Sequence, residues 1–80
     1  MMTINILAFG IAKDIFGGSS IVVELGGKTV GDLKELLEEK YPRLKQLASF
    51  MIAVNNEYGS NDLLIKQGDE IAIIPPVSGG

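Results

Sequence analysis

The stretch Ile21-Val22-Val23-Glu24-Leu25-Gly26-Gly27-Lys28-Thr29-Val30-Gly31-Asp32-Leu33-Lys34-Glu35-Leu36-Leu37-Glu38-Glu39-Lys40-Tyr41-Pro42 changes its hydrophobic period partway along, and that change decides the fold class. Ile21 to Leu25 is rich in β-branched residues and reads as a strand. Gly26-Gly27 reads as a turn. Beyond it Val30, Leu33, Leu36, Leu37 and Tyr41 recur at helical spacing, while Asp32, Lys34, Glu35, Glu38, Glu39 and Lys40 fill the other face. Thr29, followed three residues later by Asp32, has the form of a capping box that opens a helix. Pro42 disfavours its continuation. One amphipathic helix is therefore predicted, with one side packed on a sheet.

Upstream, Thr3 to Phe9 alternates at first, with Ile4, Ile6 and Ala8 on one side and Thr3, Asn5, Leu7 and Phe9 on the other, the period of a strand. Gly10 to Ser20 reads as a loop that holds a short piece, Ile11 to Phe16, closed by Gly17-Gly18-Ser19-Ser20. Downstream of the helix, after Arg43 to Phe50, Met51 to Asn55 reads as a third strand and Asn56 to Asn61 as a polar turn. Asp62 to Lys66 is expected to pair briefly, and Gly68-Asp69 to turn the chain. Glu70 to Ile74 is the last strand, stopped by Pro75-Pro76 because proline cannot donate to a ladder. This order predicts an α+β fold, a mixed sheet packed on one main helix. It suits a ubiquitin-like β-grasp, in which the first and last strands lie side by side in the middle of the sheet. Residues 1–74 are expected to form that domain and residues 75–80 a flexible tail ending in Gly-Gly.

Composition narrows the chemistry. Apolar residues make up 46% of the 80 residues and charged ones 21%, well away from the range of disordered chains. The net charge of −3, with seven scattered Lys and Arg, argues against a nucleic-acid binder, which draws its affinity from clustered basic residues. Met1 to Ala12 lacks the basic start of a signal peptide and is interrupted by Thr3 and Asn5. No run approaches the about 18 apolar residues of a membrane span, so a cytoplasmic protein with no membrane partner is expected. The chain has neither cysteine nor histidine, which removes thiolate and imidazole nucleophiles, disulfides and nearly all zinc or iron ligand sets. Neither a metal site nor catalysis by this domain alone is expected.

Two motifs reduce to turns. Gly26-Gly27-Lys28-Thr29 sits where a phosphate-binding loop would, but Val22 occupies the first glycine position of that pattern. Asn55, Glu57 and Gly59 lack the spacing of a calcium loop and its terminal bidentate glutamate. The Gly-Gly pairs at Gly17-Gly18 and Gly26-Gly27 each join two elements, whereas Gly79-Gly80 joins nothing. Terminal glycines can be simple fraying. Here Pro75-Pro76 stiffens the exit from the last strand, Val77 and Ser78 extend it, and the end carries no side chains. From Pro75 the six residues reach about 20 Å when extended, a shape able to thread a narrow channel. The carboxylate of Gly80 is then the reactive group. Using it requires turning one oxygen into a leaving group, as adenylation by ATP does, after which sulfur could displace AMP to leave a nucleophilic thiocarboxylate.

The block Gly68-Asp69-Glu70-Ile71-Ala72-Ile73-Ile74-Pro75-Pro76-Val77-Ser78-Gly79-Gly80 resembles the MoaD-type branch of the ThiS/MoaD family of ubiquitin-like sulfur carriers, the small subunits of molybdopterin synthases. Leu7-Ala8-Phe9-Gly10-Ile11-Ala12-Lys13-Asp14-Ile15-Phe16-Gly17 is similar to that family's first strand and following loop, with Phe9 and Lys13 matching its pattern, and the Thr29-Val30 helix start also fits. The resemblance implies adenylation and sulfuration of Gly80 by an ATP-dependent, MoeB-type activating enzyme. It also implies insertion of Pro75, Pro76, Val77, Ser78 and Gly79 into a MoaE-type large subunit in a hetero-oligomer, where sulfur builds the dithiolene of molybdopterin. No cofactor would be bound by this chain, with ATP used by the activating enzyme.

If Ile4, Ile6, Ile71 and Ile73 face the helix, then Leu7, Phe9, Ala72 and Ile74 lie on the opposite face of central strands. That apolar face is expected either to dock a partner, with Lys13 beside it, or to be covered in part by the loop from Gly10 to Ser20. Alternative readings are a related carrier for thiazole, thio-nucleoside or cysteine synthesis, a ubiquitin-like modifier joined to lysines through Gly80, and a plain interaction module.

Overall fold

Thr29 sets the start of the main helix as its spacing to Asp32 foretells. Its hydroxyl accepts from the Asp32 amide at 3.1 Å, and the Asp32 carboxylate accepts from the amides of Thr29 and Lys28 at 3.2 and 2.9 Å. Three amides at the helix entrance are thereby satisfied. In the structure, a computed structural model that describes residues 2–46 and 50–75, the strand β1 spans Met2–Ala8, the helix α1 Ile11–Phe16 and the strand β2 Ser20–Leu25. The main helix α2 spans Val30–Lys40 and leads into a 3-10 turn at Pro42–Gln46. The strands β3, β4 and β5 follow at Met51–Val54, Glu57–Tyr58 and Ile71–Ile74.

The described residues form one five-stranded mixed sheet in the order β2-β1-β5-β3-β4. β1 runs antiparallel to β2 and parallel to β5, with Ile6 opposite Ile71 and Ala8 opposite Ile73. β3 pairs antiparallel with both β5 and β4. The first and last strands therefore lie side by side inside the sheet, as the α+β expectation requires.

One face of this sheet carries the core. Ile4, Ile6, Val23, Leu25, Ile52, Val54, Ile71 and Ile73 pack beneath Val30, Leu33 and Leu37 of α2, with Leu44 and Ile65 closing the sides. Leu36 and Tyr41 of the predicted helical stripe are only half-buried and pack at its margin.

Two expectations are corrected. Gly10 to Ser20 is not simply a loop, because Ile11–Phe16 forms α1. Ala12 and Phe16 enter the core, and Phe16 meets Tyr41 edge to face with ring centroids 4.7 Å apart. Asn56 to Asn61 is not wholly a turn either. Asn55 and Asn56 both take positive φ, at 53° and 70°, the requirement of a two-residue hairpin turn, so Glu57–Tyr58 returns as β4. The segment Asp62 to Lys66 does pair briefly, but through Leu64 with Thr29 at the helix entrance.

Replacing Ile73, which is wholly buried, by Ala should cost roughly 2–5 kcal/mol of stability. Thr29→Ala should cost about 1 kcal/mol. Urea denaturation followed by circular dichroism measures both, and a smaller loss for Ile73→Ala than for Thr29→Ala would contradict this placement of the core.

Candidate functional site

Cross-strand register assigns the second face of the sheet, because directly paired residues point to the same side. Leu7 pairs with Ala72, Ala72 with Ala53, and Ala53 with Tyr58, while Ile74 pairs with Met51. All of these lie on the face away from α2, and none belongs to the core cluster. Leu7, Ala72 and Ile74 are half-buried by their own neighbours, while Met51 and Tyr58 stand exposed. Phe9, just past the end of β1, is 50% exposed. The result is a continuous apolar strip across four strands.

Along this strip Ala53 is buried, while the margins at Met51 and Tyr58 are open. α1 does not fold over it, since its buried residues Ala12 and Phe16 pack with the core on the α2 side. Four of the five surface residues singled out from sequence, Leu7, Phe9, Ala72 and Ile74, are thus brought together. Lys13 is exposed on α1 rather than on the sheet. Met51, Ala53 and Tyr58 were missed. The alternation of Met51 and Ala53 with Ile52 and Val54 carried the signal, but it becomes readable only once β3 is known to neighbour β5.

The strand that delivers the tail is anchored at its start. Asn55 donates from its side chain to Asp69 at 3.1 Å and accepts from the Glu70 amide at 3.0 Å, and Asp69 also accepts from the Lys66 amide at 2.8 Å. This knot ties the end of β3 to the beginning of β5. The Lys66 amide first, and then the Asn55 side chain, hold the Asp69 carboxyl below its usual value of 3.8 by favouring the charged form. At the other end of β5, Pro75 is half-buried and lies beside Gly10. The remaining tail positions, Pro76, Val77, Ser78, Gly79 and Gly80, lie outside the described residues.

The motifs read as turns behave as such: the Thr29 hydroxyl serves the helix cap and Asn55 serves the hairpin and the Asp69 knot. No group of three or more acidic, cysteine or histidine residues is placed to hold a metal among the described residues. Among the same residues no helix is long and apolar enough to cross a membrane. A shallow apolar groove of about 380 Å³ opens between Met2, Leu25 and Leu64. It lies at the start of β1, the end of the sheet opposite Pro75.

A five-stranded mixed sheet on one main helix, with the first and last strands side by side inside it, is the ubiquitin-like β-grasp class of fold. The chain belongs to the ThiS family, whose model matches residues 6–80. It is 42% identical to a molybdopterin synthase sulfur carrier subunit of Dictyostelium discoideum, with 95% of this chain and 94% of that protein covered. Its fold is similar to that of a Pyrococcus furiosus protein described as molybdopterin converting factor subunit 1, with a TM-score of 0.85, 28% identity, and 96% of this chain and all of that one covered. It is also similar to a chain in the complex of subunits 1 and 2 of the Helicobacter pylori molybdopterin-converting factor. There the TM-score is 0.70 and the identity 26%, over 99% of this chain and all of the other.

Because its pKa is lowered on folding, Asp69 contributes stability that is fully present above 3.8 and is lost as pH falls through its folded value. Asp69→Asn should therefore lower the urea midpoint at pH 7, and its difference from the parent chain should shrink as pH falls below 3.8 and through the folded value. A difference that stays constant with pH would contradict the charged Asp69 contacts.

Proposed function

We propose that this chain is the sulfur-carrier subunit of a molybdopterin synthase and acts in molybdenum cofactor biosynthesis through the carboxylate of Gly80. The observation that carries this reading is the near full-length likeness to the Dictyostelium discoideum sulfur carrier subunit. The apolar face leading to Pro75 supports it, because a carrier must be held while its tail is worked on.

In this reading residues 1–74 are the docking body and residues 75–80 the tail. An adenylating enzyme of MoeB type joins the Gly80 carboxylate to the AMP portion of ATP and releases pyrophosphate. A sulfur nucleophile then displaces AMP, which leaves a C-terminal thiocarboxylate. The tail, Pro75 to Gly80, enters a MoaE-type large subunit, and the thiocarboxylate sulfur attacks an electrophilic carbon of the pterin precursor. Two such deliveries supply the two dithiolene sulfurs. Leu7, Phe9, Ala72 and Ile74 form the partner face, Lys13 on α1 adds a further contact to the partner, and the working form is a hetero-oligomer in the cytoplasm. The carrier contributes no catalytic side chain and binds no cofactor of its own. Neither nucleic acid nor membrane takes part.

The test is mass spectrometry of the chain made together with its activating enzyme, where one oxygen at the C-terminus should be replaced by sulfur. A carboxylate that never changes, or Gly-Gly isopeptides on lysines of other proteins in its place, would overturn the reading. Deleting Gly80 should abolish sulfur loading while the circular dichroism spectrum is retained.

Phe9→Asp places a charge on the proposed partner face at an exposed position. It should weaken binding to the large subunit by about tenfold or more, a loss of about 1.4 kcal/mol, as measured by calorimetry. Unchanged affinity would remove Phe9 from the interface.

A further inference from the structure

The two edges of the sheet are not alike. β4, at one edge, is two residues long, and so short an edge offers little to a further strand. β2, at the other, runs for six residues, Ser20–Leu25, in one unbroken register with β1. Neither a bulge, a proline nor a lysine blunts it. The Ala8 amide donates to the Ser19 carbonyl at 2.9 Å, so that pair is hydrogen-bonded and every second pair along the ladder follows it. Ile21, Val23 and Leu25 therefore turn their N–H and C=O groups to β1, and Ser20, Val22 and Glu24 turn theirs outward. Among the described residues no strand pairs with that outer edge. Val22 stands in its middle, 62% exposed.

One flank of α2 faces this edge. Glu35, Leu36 and Glu39 line a groove with Leu25 of β2, whereas Lys34 and Glu38 lie on the other flank, towards Asn61 and Asp62. Glu35 and Glu39 are exposed, and Leu36 and Ile21 are half-buried at the margin of the core. Among the described residues no Lys or Arg lines the groove, and Glu24 adds a further negative charge on β2 itself.

We propose that the outer edge of β2 is a docking site for an extended, basic segment of a partner protein, which adds to the sheet as a further strand beside α2. Backbone bonds to Ser20, Val22 and Glu24 set its register. Its side chains alternate between the two faces. On the α2 side Lys or Arg meets Glu35 and Glu39, with the aliphatic stems lying on Leu36, and on the other side apolar residues meet Val22. A second copy of this chain fits less well. Pairing two β2 edges antiparallel about Val22 places the acidic flanks of both α2 helices on the same side of the joint sheet, facing each other. The site is separate from the tail and does not rest on the sulfur-carrier reading.

The probe is a synthetic hexapeptide of alternating Lys and Val, the length of β2, titrated into the full chain and followed by amide NMR shifts. Ser20, Val22 and Glu24 should shift and saturate while Ala53 and Ala72 stay in place. A hexapeptide of alternating Glu and Val should bind at least about tenfold more weakly. Val22→Pro removes an outward N–H that β1 does not use, and it should weaken the Lys and Val peptide by about tenfold or more. The double variant Glu35→Lys with Glu39→Lys, both at exposed positions, should do the same. Should Val22→Pro not fold, the peptide N-methylated along its backbone takes its place and should lose binding to a similar extent. Equal affinity for the two peptides, parental affinity after any of these changes, or shifts centred on Ala72 would overturn the proposal. So would dimerisation of the parent chain that moves the Val22 signal without peptide, since the edge would then belong to a second copy.

Discussion

The parallel pairing of β1 with β5, Ile6 against Ile71 and Ala8 against Ile73, is the seam on which the rest of the structure depends. It joins the two ends of the described chain across almost its whole length, so every element between them must be accommodated as a crossover. A parallel connection needs a covering element, and α2 supplies it. The isoleucines of the seam are wholly buried beneath Leu33 and Leu37. Because the seam is central, the strand that leads to the tail is held on both edges, by β1 and by β3.

That arrangement divides the labour between two faces. The α2 face is closed, dry and sufficient for folding, since the buried residues outside the strands all lie over it. The opposite face is left free for use, and its apolar residues are small or half-buried in the middle, at Ala53 and Ala72, with larger ones at the margins, at Phe9, Met51 and Tyr58. Pro75 follows directly on β5, the strand that contributes Ala72 and Ile74 to this face.

Legibility from sequence followed the range of the interactions. The α2 helix was readable to within a residue, because its cap, Thr29 with Asp32, and its stop at Pro42 are local. The buried side of β1, Ile4, Ile6 and Ala8, was readable from alternation alone. The helix Ile11–Phe16 was not, because six residues give less than two helical turns of pattern, and it is held by Phe16 packing on Tyr41 far along the chain. The strand β4 escaped notice because two residues have no period. Asn55-Asn56 hides a hairpin turn, since positive φ at asparagine is permitted rather than demanded.

The sequence by itself determined the helix, the alternating strands, the absence of thiol and imidazole chemistry, and a slender Gly-Gly end beyond two prolines, for these depend on residue type and near-neighbour spacing. Only the tertiary structure decided that β3 lies against β5, which adds Met51, Ala53 and Tyr58 to the apolar strip, that α1 packs on the core side and leaves that strip open, and that Gly10 abuts Pro75. The physical reason is that strand pairing between distant segments is selected by the sum of core contacts, and no local window contains that sum.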